Sequence, residues 1–180
     1  MCSLACVAVL HVVRTDLSVA AHRLSEYANG AYGWLMSTAF VALTIALAAL
    51  GILWAPNRSK KNGWILSSLA FLSATCIGVS AVFETGLPST SETIHSRASG
   101  LATMAIVILA LAYSMPTALS RRNTPFDPVA AGIAVAAAVL LGISSLLHET
   151  RWTGIGQRAL WISLFAWLMR VTIRHAHKES

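Results

Sequence analysis

Residues 31–54 read A-Y-G-W-L-M-S-T-A-F-V-A-L-T-I-A-L-A-A-L-G-I-L-W, and they sit inside a longer stretch, 27–57, that holds no Asp, Glu, Lys, Arg or His. As a helix rising about 1.5 Å per residue, this run reaches roughly 36 Å and exceeds the roughly 30 Å hydrocarbon layer of a bilayer. Backbone amides in hydrocarbon have no water to bond, so they must satisfy one another within the segment. The run is therefore a transmembrane helix.

Outward from it, 64–83, 98–119 and 129–147 repeat the case, each bounded by polar turns or charged clusters. The run 155–173 is apolar apart from Arg158 and Arg170 and is read as a further span. Residues 1–13 precede Arg14 and make only about 20 Å of helix, so the first span is short or its start lies inside a longer native helix. A signal peptide fits poorly, because no basic region precedes the apolar run and no A-x-A-like site follows it. The expected fold is all-α: a polytopic helical bundle of about six spans in a single integral-membrane domain, 1–180, with no internal repeat.

The whole composition agrees. Of 180 residues, 56% are hydrophobic and 11% charged, with a mean hydropathy of +0.67. A water-soluble domain needs about a quarter charged residues, and disorder, coiled coil, collagen and disulfide scaffolds are excluded by the same figures. The net charge of +6 is scattered between apolar runs rather than gathered on one face, which speaks against nucleic acid as a partner and for membrane lipids. Cys2, Cys6 and Cys76 make no metal or disulfide spacing and are expected as buried thiols.

Loop charges orient the bundle. Arg58, Lys60, Lys61, Arg121, Arg122, Arg170, Arg174 and Lys178 face only Asp127 and Glu179, net +6; the other side balances five basic residues against five acidic ones. The positive-inside rule puts the +6 side and both termini in the cytoplasm of a cytoplasmic (inner) membrane, with Trp54 and Trp64 at the inner interface. Small residues recur every four positions at Ala70, Ala74 and Gly78 and at Ala130, Ala134, Ala138 and Gly142. Faces of that kind let helices approach closely, here within the bundle rather than in a dimer.

The polar chemistry gathers at the outer side. Between the first two spans, Leu17, Ala21, Leu24 and Ala28 suggest a short amphipathic helix, stopped by Asn29-Gly30. His22 and Glu26 stand four apart, but one such pair lacks a third and fourth ligand, so neither a metal nor a cofactor is read here. In the next outer loop, Ser89-x-x-Glu92 is a capping box that starts a helix near Thr90, with His95 in its second turn and Glu84 ending the helix before it. Arg158 lies 12 residues from Arg170, about 18 Å along the last helix and inside the membrane's outer half. An arginine there needs a carboxylate or water. Glu26, Glu84, His95 and Arg158 are the expected ligand-binding cluster, with Glu26 paired to Arg158. Bis-histidine haem ligation would have to use His11 and His95 and is disfavoured by their different depths.

Leu24-Ser25-Glu26-Tyr27-Ala28-Asn29-Gly30-Ala31-Tyr32-Gly33-Trp34-Leu35-Met36, then Phe83 with an acidic residue, His95, Gly156-Gln157-Arg158-Ala159-Leu160 and Trp167-Leu168 are similar to the domain-of-unknown-function-998 family of bacterial multipass membrane proteins. The likeness covers nearly the whole chain. It implies that Glu26, His95 and Arg158 occupy characteristic polar positions; Phe83-Glu84-Thr85 departs from the F-P-x-D of such proteins. No biochemical activity follows from it.

The function expected from these features is binding or transport of a small or lipidic ligand in an outward-facing polar pocket. The alternatives are a Glu/His-based intramembrane hydrolase and a structural assembly partner; no HExxH, GxSxG or CxxC motif supports an enzyme. Cysteines introduced at Ser59 and Asn123 are expected to react with a membrane-impermeant maleimide only after permeabilisation, and one at Ser91 from outside. External labelling at Ser59 would reverse the orientation.

Overall fold

A computed structural model describes residues 2–55, 61–83, 85, 90–115 and 126–179. They form six α-helices: α1 (Cys2–Val13), α2 (Gly33–Trp54), α3 (Lys61–Val82), α4 (Thr90–Ser114), α5 (Pro128–Leu146) and α6 (Thr153–Glu179). A single 3₁₀ turn, Leu24–Ala28, precedes α2, and no strand occurs among the described residues. Sequential helices pack against one another, and α4 also touches α6. Four helices are long and apolar enough to cross a membrane: α2, α3 from Gly63, α4 and α5. α1 is apolar but has 12 residues, about 18 Å; α6 has 27 and carries a more polar sequence.

The outer surface is apolar as well as the core. Val12, Ile45, Ile52, Val139 and Ile162, from four different helices, are all more than half exposed. A soluble protein does not show large apolar side chains on every face, whereas a bundle whose solvent is lipid has no reason to hide them. The interior is built by close approach. Ala70 and Ala74 are buried on α3, and a Cβ on Gly78 would meet the Thr44 side chain of α2 at 3.6 Å. Further along the same helix pair, Ser67 Oγ donates to the Gly51 carbonyl at 2.8 Å. On α5, Ala130 and Ala134 are buried, but Gly142 faces open space, so the small-residue stripe packs only in its first half.

Three expectations change. Residues 14–23 are turns and bends rather than an amphipathic helix, with only the 3₁₀ turn after them. The physical reason is that the carbonyls of Val19, Ala20 and His22 accept hydrogen bonds from α6, which a continuous helix would have kept for itself. Trp54 turns into the bundle rather than outward: it is 1% exposed and stacks on Tyr113 at 5.3 Å, while Trp64 is exposed. Cys2 is exposed, whereas Cys6 and Cys76 are buried as expected. The start of α4 at Thr90 matches its expected position, but Ser89 of the expected cap lies outside the described residues.

At the end of the bundle where α5 begins, Asp127 is buried and caps the helix. One oxygen accepts the N–H groups of Val129 and Ala130 at 3.1 and 3.2 Å, and Pro128 supplies the first turn with its φ already set. The other oxygen takes Arg170 Nε and Arg174 Nη1, both at 2.9 Å. Burial pushes the carboxyl up, but the Arg170 hydrogen bond, the Ala130 N–H and the two guanidinium charges outweigh it and hold the acid below its usual range. With the folded value depressed, the stabilisation is present above the unfolded pKa of about 3.9 and is lost as pH falls through the folded one. Asp127→Ala is expected to cost about 2 kcal/mol, from the lost cap and charge-assisted bonds. In thermal melts of detergent-solubilised protein, the loss should show at pH 7 and vanish in strong acid. An unchanged melting temperature at pH 7 would remove this role.

Candidate functional site

Residues 14–32 lie across the end of the bundle opposite Asp127, where α1 and α5 finish and α2 and α6 begin. Arg14 ties this segment to itself. Its guanidinium meets both Asp16 carboxylate oxygens at 2.8 Å and donates to the Asn29 carbonyl. The chain then turns through Gly30 at φ +90°, a left-handed conformation suited to glycine. Glu26 serves the 3₁₀ turn: its Oε1 accepts the Arg23 N–H at 3.1 Å.

Arg158 pins the segment to α6. Its Nη1 donates to the carbonyls of Val19 (2.8 Å), His22 (2.7 Å) and Gly154 (3.0 Å), and its Nε donates to His11 Nε2 at 2.9 Å. The same guanidinium lies over the Tyr27 ring, 5.4 Å from its centroid. His11 Nδ1 sits 2.8 Å from the Val7 carbonyl, so Nδ1 carries the proton and Nε2 offers a lone pair to the arginine. Carbonyl dipoles and an aromatic face therefore stabilise the charge where a carboxylate was expected. The N–H of Gly154 completes the junction, donating to Ala20 O at 2.8 Å. A Cβ on Gly154 would run into the carbonyl oxygens of Val19 and His22.

Beneath this cap lies a cavity of about 290 Å³, near the lower end of small-molecule sites. Arg23, Leu24 and Ser25 of the cap form part of its wall. Polar lining residues gather towards the capped end, Ser96 and Ser99 on α4, Ser144 and Ser145 on α5, His148 just after it and Gln157 on α6, while Ser3 of α1 and Thr103 of α4 lie deeper. Further along the same helices the wall turns apolar, with Leu43 on α2, Met104 on α4, Leu141 on α5 and Trp161 and Phe165 on α6. Met104 and Gly100 are exposed as well as cavity-lining, so the cavity opens sideways along α4.

His95 is 2% exposed and stands on the cavity wall. Its Nδ1 lies 2.9 Å from Ser80 O and 3.0 Å from Phe83 O, the last carbonyls before the α3–α4 turn. Its Nε2 is buried and has no hydrogen-bond partner. Arg23 reaches over to His148 Nε2 at 2.9 Å and to Glu92 at 3.9 Å, joining the cap to the turn that follows α5 and to α4. The expected four-residue cluster is thus divided. His95 belongs to the cavity, Arg158 and Glu26 to the cap above it, and Glu84 lies outside the described residues. Sequence reasoning missed Arg23, His148 and Gln157, whose roles arise from contacts across more than 100 positions of chain, as between Arg23 and His148. No three His, Cys, Asp or Glu side chains gather as a metal site among the described residues.

Because Arg158 and His11 share a hydrogen bond, Arg158→Ala and His11→Ala should each lower the melting temperature, and the double variant should lose less than the sum by about 0.5–3 kcal/mol. Arg158→Ala with Glu26→Ala should be additive, since the two side chains share no bond. Coupling between Arg158 and Glu26, with none between Arg158 and His11, would overturn this division.

Neither a curated protein nor a solved structure matches the chain. Over residues 1–174 it matches the family described as "Protein of unknown function (DUF998)". The chain belongs to that family, and its four long apolar helices are those of a membrane protein.

Proposed function

We propose that the protein binds an amphipathic, lipid-like molecule in the cavity between α2, α4, α5 and α6, with the polar head under the cap and the chain directed along α4. One observation carries this reading: the cavity is mainly polar at its capped end and mainly apolar below, and its exposed edge runs from Ser96, Ser145 and His148 down to Gly100 and Met104 on α4. An edge that runs from polar to apolar matches a molecule with a polar head and an apolar chain, the head entering under the cap and the chain staying beside Met104. The expected topology adds that the capped end is the outer one, with both termini cytoplasmic.

The volume, about 290 Å³, equals that of about ten liquid-water molecules. It takes a head group and the first carbons of a chain; the remainder lies in the membrane. Trp161, 9% exposed on the cavity wall, reports on occupancy.

Gly100 gives the test that leaves the fold intact. It lines the cavity, and a Cβ there would meet nothing within 4 Å. A larger residue also removes the cost of about 1 kcal/mol that glycine imposes in a helix interior. Gly100→Phe is expected to melt no lower than the parent and to abolish quenching of Trp161 by lipids brominated near the head group, measured as the signal lost in Trp161→Phe. Full quenching in Gly100→Phe would overturn the proposed site.

A further inference from the structure

We infer that the cavity selects an uncharged head group bearing hydroxyls, one of which donates to His95 Nε2. This rests on the lipid-binding reading above and names its ligand class. The argument comes from which hydrogens the wall has already committed.

His95 Nδ1 faces two carbonyl oxygens, which can only accept, so Nδ1 carries the proton. The neutral ring then presents a lone pair at Nε2. That atom is buried and unpaired, and an unmet acceptor in a site of low polarity is costly. With Nδ1 turned toward α3, Nε2 is the edge of the ring that remains for the cavity.

The hydroxyls around it are spent in the same sense. Ser99 Oγ donates to Ser96 O, Thr103 Oγ1 to Ser99 O and Ser145 Oγ to Leu141 O, at 3.2, 2.7 and 2.9 Å. Each hydrogen goes to its own helix, so what these side chains retain for a ligand is lone pairs. The wall along α4 and α5 therefore accepts and asks for a donor. Donors remain as well: at the rim Arg23 and Gln157, whose Oε1 is occupied by the Leu24 N–H, and on the wall the Ser144 hydroxyl of α5.

Two kinds of head group supply donors, ammonium and hydroxyl. No Asp or Glu lines the cavity among the described residues, while Arg23 does. A cation would enter beside a guanidinium, and Glu92, the carboxylate next to the rim, is already shared by Arg23 at 3.9 Å and the Ser96 hydroxyl at 2.9 Å, so the charge would come at a cost in a desolvated site. A hydroxyl meets the acceptors without that cost, and the oxygen of a second hydroxyl or of an ester accepts from Gln157 and Arg23. The match is to a glycerol-like or diol head on an alkyl chain, free or as part of a larger lipid.

The experiment places the protein in phosphatidylcholine nanodiscs, whose lipid has no hydroxyl, and titrates matched probes against Trp161 fluorescence. The probes are 1,2-dodecanediol, its dimethyl ether, dodecylamine and dodecanoate. The diol is expected to bind at least about tenfold more tightly than the ether, the equivalent of about 1.4 kcal/mol. That ratio should fall to near one in His95→Phe. If His95→Phe does not fold, the ratio of diol to ether on the parent protein decides alone. Equal binding of diol and ether overturns the hydroxyl assignment while leaving the amphiphile site standing. Tightest binding of dodecylamine, or of dodecanoate with loss in His95→Phe, also overturns it, the latter by showing that His95 donates. Failure of every probe to reach Trp161 defeats the lipid-binding reading itself. Phosphatidylglycerol against phosphatidic acid of the same chains then separates a membrane lipid from a free alcohol as the source of the head group.

Discussion

An arginine held in the bundle by carbonyl dipoles is the constraint on which the capped end depends. Arg158 brings a full charge to a region of apolar helices, and its Nη1 and Nε bonds go to three carbonyls and a neutral imidazole. The charge is tolerable only while residues 19–22 hold their carbonyls toward it, and those residues give up helical bonding to do so. One side chain thus determines the path of a whole segment. The segment in turn places Arg23, Leu24 and Ser25 over the cavity. Gly154 is part of the same constraint, because two carbonyls sit where its Cβ would be.

The opposite end uses a different electrostatic solution. Asp127 is an acid among bases: it caps α5 and joins Arg170 and Arg174 of α6. Its buried carboxylate locks the start of α5 to the basic end of α6. At the capped end, cations are met by carbonyls and histidines, apart from the Asp16 and Glu92 contacts. The two ends are therefore unlike in charge, in agreement with the asymmetry of the loops along the chain.

How much was legible follows from what each feature depends on. The helices were, because hydrophobic length is a local property of the chain: the apolar runs at 31–54 and 64–83 lie on α2 and α3. The turn at Gly30 and the start of α4 were legible for the same reason. Arg158 was recognisable as costly from its depth, but its partners were not, since backbone carbonyls leave no mark in a sequence and carboxylates do. The amphipathic spacing of Leu17, Ala21, Leu24 and Ala28 was real, yet α6 competed for the same backbone groups and prevailed. Trp54 had the composition of an interface residue, and only the arrival of Tyr113 from α4 made it part of the core. The span beginning at 129 was legible; the ion pair of Asp127 with Arg170 across 43 positions was not.

The cavity shows the same ambiguity in its sharpest form. Small residues on a membrane helix permit close packing, and that is their role at Ala70, Ala74, Ala130 and Ala134, all buried. Gly100 and Gly142 have the same chemistry and face open space instead. Ser96, Ser99 and Thr103 follow the pattern on α4, where a packed interface would bury them against a neighbour and the bundle leaves them beside a void. What separates the two outcomes is the cap. By holding the ends of α4, α5 and α6 through Arg23 and Arg158, it fixes their separation, and small side chains cannot close a gap whose width is set from above. A site made in this way needs no large or unusual residues on its walls, which is why composition alone could not point to it.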